Sequence, residues 1–318
     1  MVRESFAIGN VRVRAGSERD VELPITRLVT GGDASLPVRV VHGREEGPTV
    51  WVSGAIHGDE VIGVEVIREL ILTLSAKEFR GTLVAVPVVN VLGFMTGDRY
   101  LPDRRDLNRM FPGSPRGSLA SRIAHLFMKE VVSKCEVGID VHTAADKRAN
   151  LPQIRADLDD PRTRELAKAF AAPVNLHARL RDGSLRQAAT DVGAKVLLYE
   201  AGEALRFDDE SIKTGVVGIR RVLEHLGMID KHPTDQPPAS LESRSSGWVR
   251  ARGTGILLLE TQLGAMVTAG DRLGGLSDTF GRRVRLVRAD RTGIVIGLTR
   301  APIVNAGDAL VHIASVEE

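Results

Sequence analysis

Cysteine is almost absent from this chain of 318 residues, because Cys135 is the only one. A single cysteine excludes an intrachain disulfide and a zinc site built from several cysteines. No run of about 18 apolar residues is present, which excludes a helical membrane span. The first residues, among them Arg3 and Glu4, lack the apolar core of a signal peptide. These absences predict a cytoplasmic protein with no membrane partner.

An excess of charge is also absent, since 43 basic side chains stand against 41 acidic ones and the formal net charge is +2. No long basic block interrupts this balance, so nucleic acid is not an expected partner. The composition, 43% hydrophobic and 26% charged, is that of an ordinary globular protein. The length suits one large domain with a smaller second one and leaves a homo-oligomer open.

The segment Val50–Leu74 predicts a buried strand followed directly by a helix. Its first three residues are apolar and β-prone, and apolar residues recur with helical spacing after Glu60. His57 and Glu60 therefore stand where the strand ends, which is the place where open α/β sheets bind ligands. Imidazole nitrogen and carboxylate oxygen both suit zinc. Alternatively, His57 is an ordinary loop residue and Glu60 a first-turn acid favoured by the helix dipole.

Two further predicted strands also carry polar residues at their ends. The run Val137–Thr143 contains His142, and alternation puts Asp140 on the same side, where it could orient the imidazole by a hydrogen bond. A later apolar run reaches Glu200, and a charge at the end of a buried strand is costly unless it is paired or coordinated. Glu200 is therefore a candidate for chemistry, with Glu203 as the less buried alternative.

The stretch Gly93–Gly113 is predicted to be a long loop. A structureless loop of this length inside a compact domain is usually functional or disordered, and this one is not of low complexity. Its arginines indicate an anion receptor, because the guanidinium fork matches a carboxylate. The alternative is a solvated basic loop. The candidate anion-binding residues are Arg99, Arg105, Asn108 and Arg109.

Hydrophobic periodicity predicts the other elements of the first part of the chain. Short alternating runs predict strands and turns in residues 1–48. The nearly continuous β-branched run Thr82–Val91 predicts a strand buried on both faces, which completes a βαβ unit. Pro87 within it indicates an edge, a bulge or the end of the strand. Helical spacing predicts three further helices, at Leu119–Val132, Pro161–Ala171 and Ile212–Leu226.

The amino-acid composition and the hydrophobic pattern change after the last of these predicted helices. Lys231–Ser246 is rich in proline and serine, which indicates a linker or an excursion. Beyond it, Gly247–Ser315 has many glycines and short aliphatic runs without a helical period. This part contains an internal repeat, VTAGDRL at Val267–Leu273 and VNAGDAL at Val304–Leu310. The repeat predicts two similar β-halves in a small barrel or sandwich.

Four motifs now stand in a fixed order: GAIHGDE, RDLNRMFPG, DVHT and YEAG. Each is short, but together and in this order they resemble the succinylglutamate desuccinylase/aspartoacylase family of zinc hydrolases, which is related to the zinc carboxypeptidases. The resemblance covers about residues 45–230. It implies an α/β fold in which a mixed central sheet is flanked by helices, as in the zinc carboxypeptidases.

The resemblance also implies two domains. Residues 1–235 would form the zinc hydrolase domain, with N-terminal β strands in residues 1–48, and residues 236–318 would form a C-terminal all-β domain. The shape of this second domain in the family resembles a biotinyl/lipoyl carrier. Gly247–Glu318 contains no lysine, however, which excludes covalent attachment of biotin or lipoate there.

The family motifs imply roles for individual residues, position by position. One zinc ion per chain would be bound by His57, Glu60 and His142, and Glu200 would be the general base and acid. The DLNR motif implies that Asn108 and Arg109 bind the substrate carboxylate. An arginine–tyrosine pair before this motif polarises the scissile carbonyl in relatives. Arg99 with its neighbouring tyrosine is similar, but its distance in sequence from the DLNR motif is longer than in aspartoacylases. Arg105 is therefore the alternative residue for this role.

The reaction implied by this resemblance is zinc-dependent hydrolysis of the amide bond of a small N-acyl amino acid or a related compound. Zinc lowers the pKa of a water molecule, and Glu200 would take the proton from water and deliver it to the leaving amine. Two alternatives stay open at this point. One is a zinc carboxypeptidase that acts on short peptides, and the other is a non-catalytic metal-binding protein on the same scaffold.

Overall fold

The computed structural model describes residues 3–145, 147–231 and 239–316, and only the backbone of Arg283 and Val284. Its helices cover amphipathic stretches of the first 226 residues, and single 3-10 turns occur at Leu107–Arg109 and Val132–Lys134. None of the described helices has the length and apolar character that a membrane crossing requires. The cytoplasmic location stays a prediction. The helices are α1 (Ile62–Leu72), α2 (Val91–Thr96), α3 (Leu119–Glu130), α4 (Pro161–Phe170), α5 (Leu185–Asp191) and α6 (Asp209–His225).

The strands of the first part of the chain are β1 (Phe6–Ile8), β2 (Val11–Val13), β3 (Ser17–Arg27), β4 (Asp33–His42), β5 (Glu45–Ser53), β6 (Arg80–Val86), β7 (Val137–Ala144), β8 (Arg148–Ala156), β9 (Val174–His177) and β10 (Lys195–Glu203). Those of the C-terminal part are β11 (Leu241–Ser243), β12 (Ser246–Arg250), β13 (Gly255–Leu259), β14 (Met266–Val267), β15 (Arg272–Ser277), β16 (Arg283–Arg288), β17 (Gly293–Thr299), β18 (Ile303–Val304) and β19 (Ala309–Ser315).

A mixed sheet runs through the molecule in the order β12-β19-β17-β8-β10-β7-β5-β6-β4-β3. Its four middle strands, β10, β7, β5 and β6, are parallel to their neighbours within this group, whereas β8 and β4 flank them in antiparallel pairs. The carboxyl ends of these four strands therefore meet at one edge. This arrangement confirms the predicted mixed α/β fold and brings the ends of β5, β7 and β10 together.

Helices cover both faces of this sheet. On one face α1, α4 and α6 pack into a core around Val66, Phe170 and Ile219, while α3 and α5 pack on the other face around Phe127 and Leu185. All five side chains are fully buried. Each helix turns its apolar stripe toward the sheet, because helical spacing places residues three and four apart on the same face.

The predicted helices are confirmed, but the loop Gly93–Gly113 is only partly a loop. The helix α2 occupies its start, where the Asn90 side chain caps the helix by accepting a hydrogen bond from the Gly93 amide. A capped helix this short leaves almost no periodic signal in the sequence. The predicted strand Thr82–Val91 also ends early, at Val86, because proline follows directly and cannot donate to a neighbouring strand.

The described residues beyond β11 form only strands and turns, as predicted. One set, β16-β15-β13-β18, forms a four-stranded antiparallel sheet, and the rest continue the mixed sheet, where β17 pairs with β8. The predicted domain boundary between 235 and 236 lies outside the described residues. The predicted linker is described only at its ends, and the second end already contains β11 and the start of β12.

The internal repeat forms two turns of the same construction. In the first, the Thr268 amide donates to Asp271 at 2.8 Å, and in the second the Asn305 amide donates to Asp308, also at 2.8 Å. The intervening glycines have φ of +98° and +93°, a left-handed conformation that glycine adopts without strain. The repeated aspartate and glycine are therefore explained by the turn, whereas the division into two similar β-halves stays a prediction.

Candidate metal centre and hydrolytic site

Three side chains at the carboxyl edge of the sheet converge on one point. His57 and Glu60 lie in the turn between β5 and α1, and His142 lies on β7. The His57 Nδ1 atom is 2.7 Å from Glu60 Oε1, and the His142 Nδ1 atom is 2.7 Å from Glu60 Oε2. All three residues are at least 97% buried. One donor atom from each lies within 4.8 Å of the others, close enough to share a single ion.

Gly58 allows the turn that carries His57 and Glu60 to lie against the chain at the start of α2. A Cβ atom at this position would lie 2.1 Å from the backbone carbon of Gly93 and 2.5 Å from the carbonyl oxygen of Asp98. Both atoms belong to the backbone, so neither can move aside cheaply. The glycine of the HGDE motif is therefore required by this close approach of two backbone segments.

Each histidine turns its second ring nitrogen toward a carboxylate outside the triad. His57 Nε2 lies 3.1 Å from Asp106, and His142 Nε2 lies 2.7 Å from Asp140. Asp140 in turn accepts a hydrogen bond of 2.8 Å from the Ser53 hydroxyl. Metal-ligating histidines typically have this arrangement, in which an outer carboxylate fixes the ring orientation and raises its basicity. The predicted orienting role of Asp140 is confirmed at the level of the hydrogen bond.

Burial and charge act against each other in this cluster. Burial favours the neutral form of Glu60, but the two imidazoles outweigh it and hold the pKa of this carboxyl well below its usual range. Burial also opposes charge on His142, yet Asp140 and Glu60 raise its pKa well above the usual value. Asp106 is half-buried, which opposes its charge, but its hydrogen bond to His57 lowers its pKa to about 2. The site thus stabilises positive charge at its centre.

The donor set fits a divalent metal ion. Two imidazole nitrogens and a carboxylate oxygen form the protein ligands of catalytic zinc sites that keep one position open. His57, Glu60 and His142 would hold such an ion, with Asp106 and Asp140 as the outer partners of the histidines. The structure brings together the three predicted ligands, although His142 follows Glu60 by 82 residues in the chain.

The two candidate acids on β10 are in different surroundings. Glu200 lies in the wall of the same cavity as the triad, where it accepts a hydrogen bond of 2.8 Å from Asn150 and lies 3.4 Å from Arg155. Glu203 lies outside that wall and pairs with Arg300 at 3.0 Å. Of the two alternatives left by the sequence, only Glu200 shares the cavity wall with the triad.

Of the four predicted anion-binding residues, three lie in the cavity wall and one does not. Arg99, Asn108 and Arg109 contribute to the cavity wall, and the Arg99 guanidinium donates to Glu60 Oε1 at 2.9 Å. The side-chain oxygen Oδ1 of Asn108 accepts a hydrogen bond of 2.8 Å from the Leu185 amide, which ties the 3-10 turn to the start of α5. Arg105 is not part of the wall, and its nearest carboxylate is Asp103 at 3.5 Å.

The cavity has a volume of about 550 Å³ and a surplus of positive charge. Seven arginines contribute to its wall, against three acids, Glu60, Asp140 and Glu200. Among the described residues, five of these arginines have no carboxylate within 4 Å of their guanidinium groups; these are Arg109, Arg148, Arg179, Arg181 and Arg186. Burial and the neighbouring Arg155 lower the pKa of Arg186 to about 10.

Several residues of this wall carry no recognisable motif in the sequence. Asn150 and Arg155 come from β8, while Trp248 and His312 come from the C-terminal strands β12 and β19. The Trp248 and His312 rings stack with centroids 4.6 Å apart and an angle of 14° between their planes. The strand β8 pairs with β10, and the C-terminal strands reach the cavity because β17 pairs with β8. A sequence pattern within one segment could not have identified them.

Comparisons with known proteins agree with this geometry. The family model of the succinylglutamate desuccinylase/aspartoacylase catalytic domain matches residues 46–226. An N-alpha-acetyl-L-2,4-diaminobutyric acid deacetylase from Halomonas elongata is 32% identical over 312 residues, which cover 94% of this chain and 91% of the relative.

Two solved structures are similar over nearly the full length. A succinylglutamate desuccinylase/aspartoacylase from Rhodobacter sphaeroides is 28% identical with a TM-score of 0.82, over 94% of this chain and 96% of that one. The product-bound ectoine utilization protein EutE from Ruegeria pomeroyi is 26% identical with a TM-score of 0.85, over 99% of both chains. The similarity therefore includes the C-terminal strands as well as the region of the family model.

Proposed function

This chain belongs to the succinylglutamate desuccinylase/aspartoacylase family and is a hydrolase of amide bonds, and we propose that it uses one zinc ion to remove the acyl group from a small N-acyl amino acid. The observation that carries this proposal is the shared cavity, whose wall contains Glu200 as well as the triad of His57, Glu60 and His142. An ion-binding cluster and a second carboxylate in one cavity are what a metal-assisted hydrolysis requires.

In this proposal each group has one role. Zinc, when bound, lowers the pKa of water and polarises a carbonyl. Glu200 takes a proton from the attacking water and returns it to the nitrogen of the leaving amine. Asn108 and Arg109 hold the carboxylate of the amino acid, since an arginine beside the cavity can bind it with two hydrogen bonds. This anchoring fixes the amide bond relative to Glu200, which lowers the entropic part of the barrier.

Arg99, rather than Arg105, is proposed to stabilise the negative charge that develops on the carbonyl oxygen. We expect Arg99→Met to lower kcat by about 10²-fold, the usual effect of removing one such donor. The matched control is Arg105→Met, which removes the same charge outside the cavity wall and should change kcat by less than about twofold. Steady-state kinetics of the two variants decide between them, and the opposite ranking would give the role to Arg105.

The five arginines without a carboxylate partner favour an acidic substrate. The relative from Halomonas elongata is named for an N-acetylated diaminobutyric acid, whose free amine carries a positive charge, and this cavity would repel such a group. We expect kcat/KM for N-acetylglutamate to exceed that for N-acetylglutamine by about 10-fold or more, because a charge-assisted hydrogen bond contributes about 1.5–3 kcal/mol. The two compounds have nearly the same shape, so the comparison isolates the charge.

The experiment that tests the function is a screen of the purified zinc-loaded protein. N-acetyl and N-succinyl amino acids are assayed beside dipeptides, and release of the free amine is measured. Hydrolysis of the acyl amino acids alone supports the proposal. Hydrolysis of dipeptides alone would make the protein a carboxypeptidase, and no hydrolysis with full zinc content would leave only metal binding.

We further propose that residues 1–235 are the hydrolase domain and that residues 236–318 form a β domain of carrier-like shape without carrier function. The absence of lysine from Gly247–Glu318 removes the attachment site that a carrier needs. Instead, Trp248 and His312 contribute to the wall of the cavity. The C-terminal strands thus limit the size of the substrate that can reach the triad.

A further inference from the structure

The Glu200 carboxylate is held by two side chains from the neighbouring strand β8. The amide nitrogen of Asn150 donates to Oε2 at 2.8 Å, and an Nη1 atom of Arg155 lies 3.4 Å from Oε1. Asn150 is 6% exposed, so little water competes for its hydrogen bond. Without such a contact the glutamate side chain would be free to populate several rotamers at the end of its strand.

Asn150 is itself held by the C-terminal strands. It pairs with Gly297 of β17 in an antiparallel register that continues to Arg148 opposite Thr299. The Arg148 guanidinium lies over the Trp248 ring, 5.2 Å from its centroid, and Trp248 stacks on a further side chain of β19. The segment of β8 that reaches Glu200 is thus fixed from the side of the C-terminal region.

Gly297 is the point at which this contact is closest. A Cβ atom there would lie 3.0 Å from Asn150 Oδ1, 3.1 Å from His312 Cβ and 3.3 Å from the Trp248 ring. These distances are shorter than ordinary carbon contacts, so a side chain at this position would displace at least one of the three neighbours. A side chain behind Asn150 would therefore require one of these neighbours to shift by a few tenths of an ångström.

We propose that Asn150 is a positioning residue for Glu200, and that the C-terminal β region sets the place of Asn150 through Gly297. The inference rests on the proposed function, because it requires that Glu200 transfers the proton. The hydrogen bond from Asn150 occupies Oε2, while Oε1 lies 3.4 Å from Arg155. A displacement of about 1 Å in a reacting group can cost about 10²-fold in rate, so the position of this side chain matters.

The first test replaces the donor with an acceptor of the same size. Asn150→Asp should lower kcat by about 10²-fold, because the new carboxylate repels Glu200, while KM changes by less than about threefold. Asn150→Ala removes the donor without adding charge and should also lower kcat more than it raises KM. Zinc content, measured by atomic absorption, should stay at one ion per chain in both variants.

The matched control is Asn175→Asp, which makes the same change at a buried asparagine of the adjacent strand β9. Asn175 is 2% exposed but does not contribute to the cavity wall. This control measures what a buried carboxylate in the sheet costs in folding alone. Its kcat per folded molecule should equal that of the wild type, even if its melting temperature falls.

The second test acts from the C-terminal region. Gly297→Ala should lower kcat by about 10-fold with little change in KM, since it moves Asn150 without touching the substrate. Gly253→Ala is the control, because a Cβ atom there would meet only the Arg285 side chain, at 3.5 Å.

The outcomes separate this inference from the function on which it rests. If Asn150→Asp and Gly297→Ala turn over within about threefold of the wild type while Glu200→Gln does not, the positioning role is wrong and the hydrolase stands. If the changes raise KM alone, Asn150 binds substrate instead. A wild type that hydrolyses none of the screened amides would overturn both proposals.

Discussion

Glu200→Gln is expected to lower kcat by about 10²–10⁴-fold, the usual contribution of a general base. Glutamine has the size of glutamate, and its carbonyl oxygen can still accept the hydrogen bond from Asn150. It cannot take a proton from water, so the loss should appear in kcat while KM stays close to the wild-type value. The measurement is the initial rate on whichever N-acyl amino acid the screen identifies, together with the zinc content of the variant.

The control for this substitution lies three residues away on the same strand. Glu203→Gln removes a carboxylate that is paired with Arg300 outside the cavity wall. A surface ion pair of this kind contributes about 0–1 kcal/mol to stability, so the variant should fold and turn over like the wild type. Equal rates for Glu200→Gln and the wild type would mean that Glu200 does not transfer the proton. A loss confined to Glu203→Gln would mean that Glu203 is the base.

The choice between these two acids shows what the sequence could not decide. Alternation along a strand places residues two apart on one face, which predicts directions only while the strand is regular. Here β10 has a register shift between Glu200 and Glu203, and Gly202 has a φ of +66°. Glu203 comes to lie opposite Ala144, two residues beyond His142, and its side chain pairs with Arg300 outside the cavity wall. A local departure of this kind leaves no sign in the sequence except the glycine itself.

The triad, by contrast, could be predicted because each ligand follows from a local rule. His57, Glu60 and His142 all lie at or just beyond the ends of apolar runs, and parallel strands end at a common edge. Asn150 and His312 follow no such rule. Asn150 lies beside Glu200 because β8 pairs with β10, and His312 reaches the cavity because β19 pairs with β17 and β17 pairs with the distant strand β8. Such pairing depends on the whole fold rather than on any one segment.

Removal of the metal is expected to abolish turnover. The substitution His142→Ala is expected to prevent the metal from binding again. With one of three ligands gone, zinc affinity should fall by more than the 10–100-fold that loss of an outer partner costs. Asp140→Asn tests that smaller effect, because it weakens the hydrogen bond of 2.7 Å to His142 Nε2 and leaves the triad intact. Zinc titration after dialysis against a chelator measures both affinities, and the rate of amide hydrolysis is followed in parallel.

The matched control for His142→Ala is His125→Ala on α3, which removes an imidazole outside the cavity wall. It should bind zinc and turn over as the wild type does. The expected order of zinc affinity is therefore wild type and His125→Ala first, Asp140→Asn next and His142→Ala last. Because the outer carboxylate acts only through the histidine, the double variant of Asp140 and His142 should be no weaker than His142→Ala alone. Additive losses would mean that Asp140 contributes to the metal centre by a route other than this imidazole.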